Sequence, residues 1–88
     1  MKISNVGSNM TKVDFNNGDN ILISYDTPVA GRVGDDFVVT EKKYSSTTTK
    51  HINKYFENEY GIIIKNFPHK KVSPQKLQDR LYNIIHVM

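Results

Sequence analysis

Near Ser45 the apolar side chains of this chain change their spacing, and that change sets the fold class. Before it, they recur at every second position. Thr11, Val13 and Phe15 alternate with Lys12 and Asp14, and Ile21, Ile23 and Tyr25 alternate with Leu22 and Ser24. A period of two belongs to a pleated strand. After Ser45 the spacing is helical: Thr48, Ile52, Tyr55, Phe56 and Glu59, then Leu77, Leu81, Ile84, Ile85 and Met88. Strands followed by helices predict an α+β domain. The expected architecture is a small antiparallel sheet of three to five strands from the N-terminal half. Two helices from the C-terminal half pack on one face of it, and one domain spans residues 1–88.

Local signals place the elements. Asn16-Asn17-Gly18-Asp19 between the first two alternating runs is a hairpin signal. A two-residue loop would pair Asp14 with Ile21. A three-residue loop over residues 16–18 pairs Val13 with Ile21 and Thr11 with Ile23, and sets Gly18 at the left-handed position. The second register collects apolar residues on one face and is preferred. Residues 3–6 suit a first strand and residues 37–40 a later one, whereas residues 27–31 read as a loop around Pro28. A helix is expected over residues 47–59, stopped by Gly61. Ile62-Ile63-Ile64 reads as a short buried strand and residues 66–71 as a loop around Pro68. Ser73 before Pro74 is an N-cap followed by proline at the first helical position, so a second helix starts there.

Composition narrows the function classes. There is no cysteine, which removes disulfides, thiolate zinc sites and cysteine nucleophiles. His51, His69 and His86 lack ligand-pair spacing, so no metal or other cofactor is expected. The N-terminus has no long apolar run, and Ile62-Ile63-Ile64 is too short to span a bilayer, so a cytoplasmic protein without membrane contact is expected. Hydrophobic content is 38%, a lean supply for a core, which makes an obligate partner or a homodimer an expectation. Net charge is +3, unevenly spread: residues 1–40 sum to −2 and residues 41–88 to +5. A basic surface in the second half follows, suited to anions or simply solvated.

Two segments carry that charge. The first helix begins in Ser45-Ser46-Thr47-Thr48-Thr49, with Lys42 and Lys43 before it and Lys50, His51 and Lys54 within it. Hydroxyls and cations at a helix start suit phosphate, although one hydroxyl suffices as a cap. The second segment holds Lys65, Phe67, His69, Lys70 and Lys71. Cations flanking an aromatic fit a single strand, and Phe67 fits equally well as a core anchor of the loop. The candidate binding residues are therefore Lys42, Lys43, Ser46, Thr47, Thr49, Lys50, His51, Lys54, Lys65, His69, Lys70 and Lys71. His51 lies near hydroxyls, but no Gly-rich elbow or oxyanion motif accompanies it, and no enzyme is expected.

Three stretches also resemble a known family. They are residues 2–9, Tyr25-Asp26-Thr27-Pro28-Val29-Ala30-Gly31, and Thr40-Glu41-Lys42-Lys43-Tyr44-Ser45 running on through Thr47-Thr48-Thr49-Lys50-His51-Ile52-Asn53-Lys54-Tyr55. Together they resemble an uncharacterised small-protein family of bacteriophage genomes over residues 1–56, departing at Gly31, where alanine is usual, and at Tyr55, where tryptophan is common. On the sequence alone neither departure alters the physical reading. The resemblance implies a phage origin and no mechanism. The leading expectation is a non-enzymatic accessory protein that binds and inhibits or redirects a host protein, such as a defence or nucleic-acid-processing factor. The alternative is a small DNA- or RNA-binding protein using the first helix start and residues 65–71.

Overall fold

Five strands follow one another through the first half: β1 (Lys2–Gly7), β2 (Met10–Asp14), β3 (Asn20–Ser24), β4 (Thr27–Val33) and β5 (Asp36–Thr40). Each pairs antiparallel with the next. Helix α1 (Ser46–Tyr60) comes next, then a 3-10 turn (Ile64–Asn66), strand β6 (Lys70–Val72) and helix α2 (Pro74–Val87). The structure, a computed structural model, describes residues 1–87, with side chains through Tyr82. It is an α+β fold whose sheet order is β1-β2-β3-β4-β5-β6.

The hairpin register is the one that pairs apolar residues: Val13 lies opposite Ile21 and Thr11 opposite Ile23. The Phe15 N–H donates to the Asp19 carbonyl at 2.9 Å and the Gly18 N–H to the Phe15 carbonyl at 3.1 Å, closing the loop, and Gly18 has φ +94°. Helix α1 is capped as its sequence suggests. Ser45 Oγ accepts from the Thr48 N–H at 3.1 Å, and Gly61 ends the helix by donating to the Glu57 carbonyl. At α2, Ser73 Oγ accepts from the Lys76 N–H at 3.2 Å.

Four features differ from the sequence expectation. The N-terminal half supplies five strands, within the expected three to five, but a sixth joins them: Lys70 to Val72, of which residues 70 and 71 were expected in a loop, runs parallel to β5. A parallel pair needs a crossover of a dozen or more residues, and the 15-residue α1 supplies it. Ile62-Ile63-Ile64 is not a strand. The Asn66 N–H donates to the Ile63 carbonyl and the Phe67 N–H to the Ile64 carbonyl, turning the chain so that Ile64 is buried and Ile63 is 61% exposed. Residues 27–31 are not a loop but the body of β4. Leu22 pairs with Ala30 and Ile23 with Pro28, leaving Val29 as a bulged residue; a bulge is where a strand tolerates proline.

The fourth difference concerns layering. The two helices lie on opposite faces rather than one. Leu22, Ala30 and Val39 pack with Ile52, Tyr55 and Phe56 of α1. Val13, Ile21 and Val38 pack with Leu77 and Leu81 of α2. Ile21-Leu22 and Val38-Val39 are adjacent apolar pairs, so these strands are apolar on both sides. Leaving Ile21 or Val38 in water would forfeit about 2 kcal/mol each. Ile84, Ile85 and Met88, the remainder of the α2 stripe, lie outside the residues whose side chains are described.

Polar pairs fix α1 on its face. Lys12 pairs with Glu59, and that carboxylate raises the Lys12 pKa against the opposing effect of burial. Tyr55 Oη donates to Asn20 Oδ1, while Asn20 Nδ2 donates to Tyr60 Oη at 2.6 Å. Burial pushes the Tyr55 hydroxyl pKa far above the usual tyrosine range. Gly31 has a reason that its sequence context does not reveal. A Cβ there would stand 2.2 Å from the Asn20 carbonyl oxygen across the β3–β4 pair. The departure from alanine at this position therefore does matter, since an alanine would force these two backbones apart.

Candidate functional site

The end of β5, residues 41–45, the first two turns of α1 and the segment before β6 enclose a cleft of about 510 Å³. Its floor is apolar and belongs to the core: Val39, Ile52 and Ile64, which are 6%, 7% and 4% exposed. Its rim is basic, with Lys42, Lys43, Lys65, Lys71 and His69. Thr40, Glu41, Tyr44, Thr48, Thr49 and Asn53 complete the wall.

The register of β6 brings the two basic segments together. Lys71 pairs with Val39 and so shares the α1 face of the sheet, whereas Lys70 pairs with Val38 and shares the other face. There Lys70 Nζ lies 3.0 Å from Asp36 Oδ2. The Glu41 N–H donates to the Val72 carbonyl at 2.8 Å, tying the wall to β6. Lys42 Nζ stands 4.9 Å from the Tyr44 ring centroid, a cation–π contact at the rim.

Of the twelve residues singled out by sequence, six line this cleft: Lys42, Lys43, Thr49, Lys65, His69 and Lys71. Ser46, Thr47, Lys50 and Lys54 are exposed on α1 outside it. His51 turns toward the sheet, with Nδ1 2.8 Å from Ser24 Oγ and its ring 5.7 Å from that of Tyr25. Much of the hydroxyl cluster is spent on the helix start itself. Ser45 Oγ caps, Thr49 Oγ1 donates to the Ser45 carbonyl, and Thr48 Oγ1 lies 3.3 Å from both Ser45 and Ser24 hydroxyls. Phe67 is not a core residue, although it packs on a neighbouring ring. Its ring meets Phe37 edge-on at 5.5 Å and is 42% exposed.

Sequence reading missed Glu41, Tyr44 and Asn53. Tyr44 directly after Lys42-Lys43 was the one signal present, a cation–aromatic run of the same kind as Lys65 to Phe67. Among the described residues, three or more His, Asp or Glu side chains nowhere gather to hold a metal ion. Among them also, no helix is long and apolar enough to cross a membrane.

Ion pairs hold only some of the cations. Lys12, Lys70 and Arg80 each have an acidic partner. Lys43, Lys65 and Lys71 have none among the described residues, and neither do Lys2, Arg32, Lys50, Lys54 and Lys76 elsewhere, but these three converge on one concavity whose single carboxylate is Glu41. No curated protein and no solved structure matches the chain. A family model does, over residues 1–75, taking in the whole sheet, α1 and every lining residue of the cleft and ending at the second residue of α2. The chain thus belongs to a family of unknown function, DUF8033.

Proposed function

We propose that this chain is a non-enzymatic phage accessory protein that holds a single-stranded stretch of nucleic acid in the cleft, within the host cytoplasm. The convergence of Lys43, Lys65 and Lys71 without acidic partners carries this reading. Unpaired cations in a groove track a phosphate backbone, and aromatic rings beside them stack on bases. Tyr44, on the cleft wall, and the neighbouring Phe67 supply the rings.

Fluorescence anisotropy of a labelled single strand across a salt series tests it. Affinity should fall steeply with salt. Lys65→Glu with Lys71→Glu should weaken binding by about thirtyfold and flatten the salt slope by about two. Lys50→Glu with Lys54→Glu, on the outer face of α1, should change it little. A chain that binds no oligonucleotide at low salt ends this reading.

A host protein as target is the second reading, favoured by Ile63, 61% exposed, and Phe67 near the cleft. Apolar side chains at a rim of charge suit a protein contact. Affinity capture with nuclease treatment separates the two. A specific host protein retained after nuclease, and lost with Ile63→Asp, supports a protein target. Retention that vanishes with nuclease alone excludes it.

A further inference from the structure

The cleft contains more than a phosphate track needs. A site for phosphate alone has no use for an apolar floor, yet Val39, Ile52 and Ile64 form one. Nor does it gain from an acid, yet Glu41 is the single carboxylate among the lining residues. That carboxylate makes no ion pair among the described residues, although four lysines line the same cleft. An unpaired carboxylate repels a phosphate backbone and weakens binding unless something in the ligand donates to it.

We propose, resting on the nucleic-acid reading, that the cleft seats one unstacked guanine, with Glu41 accepting hydrogen bonds from its Watson–Crick edge. The volume of about 510 Å³ lies within the usual range for a small-molecule site and accommodates a base. Single strands are commonly read this way, through splayed bases stacked on aromatic rings and hydrogen-bonded on their edges. The base lies against the apolar floor beside Tyr44, and Lys65 and Lys71 take the flanking phosphates. Guanine alone among the common bases presents two adjacent donors on that edge, the N1 imino and the 2-amino group. These match the two oxygens of one carboxylate. Adenine and cytosine place a ring nitrogen acceptor beside their one amino donor. Thymine and uracil flank their one imino donor with carbonyls. Each of these sets a lone pair against a carboxylate oxygen.

The test compares short oligothymidines carrying one central guanine, inosine or adenine with the unsubstituted strand, by anisotropy at low salt. Inosine keeps the imino donor and lacks the 2-amino group. The wild-type chain should bind the guanine strand about tenfold more tightly than the other three. Glu41→Gln should erase that preference while oligothymidine binding holds or strengthens, since a negative charge leaves the cleft. The Glu41 carboxylate has no partner among the described residues, so the variant should keep the wild-type melting temperature. Equal wild-type affinity for all four strands overturns the guanine assignment and leaves strand binding standing. No binding to any strand overturns the nucleic-acid reading, and this assignment with it.

Discussion

Replacing Phe56 with alanine is expected to cost about 4 kcal/mol of folding stability. The Phe56 side chain is fully buried between α1 and the sheet. Its ring lies 4.8 Å from that of Tyr55 and 5.6 Å from that of Phe37, both edge-on, so truncation removes aromatic contacts and leaves a cavity. A domain of 88 residues has only about 4–13 kcal/mol in hand, so the variant should be largely unfolded or melt roughly 20 °C lower. Phe56→Leu fills most of the volume and should lose less than half as much. Urea unfolding of the two variants checks this, and equal midpoints for alanine and wild type would show that the α1 face is not the main core.

Asp19→Ala should come next, at about 3 kcal/mol. The Asp19 side chain is 6% exposed and serves three elements at once. It accepts from the Gly34 N–H at 2.9 Å, from Asn17 Nδ2 at 3.3 Å and from Arg80 at 2.5 Å, joining the β2–β3 and β4–β5 turns to α2. Burial alone would raise its pKa. The Arg80 guanidinium, the Gly34 N–H and the Asn17 amide outweigh burial and hold the carboxyl below the usual carboxylate range. The folded-state pKa is thus lower than the unfolded one, near 3.8. The resulting stabilisation is fully present above about pH 4 and is lost as pH falls through the folded-state value. Unfolding free energies measured at descending pH should therefore converge for wild type and Asp19→Asn. A difference that stays constant on acidification would mean that the carboxylate charge contributes nothing.

The elements legible in the sequence were those written in neighbouring residues. The Asn16-Asn17-Gly18 loop specified its own register, because only one pairing set Val13 against Ile21. The helix expected over residues 47–59 and stopped by Gly61 matches α1 to within a residue at each end, and Ser73-Pro74 started α2, since caps act within one turn. Six residues of the cleft were likewise named from charge and hydroxyl clustering. Glu41 was overlooked because its significance lies in the lysines that surround it without pairing to it, which is a property of space rather than of spacing.

What the sequence alone determined is the α+β class, the hairpin, the helix ends and the basic character of the second half. All follow from periodicity and chemistry within a few residues. Only the tertiary structure decided that Pro28 sits in a strand, that the helices take opposite faces, and that residues 41–45 and 64–71 share one cleft. Each depends on pairing between distant segments: the bulge at Val29 admits Pro28, apolar residues on both sides of β3 and β5 demand two covers, and β6 alongside β5 carries Lys71 to Val39. A side chain's face follows from its partner strand, and the partner strand is not written beside it.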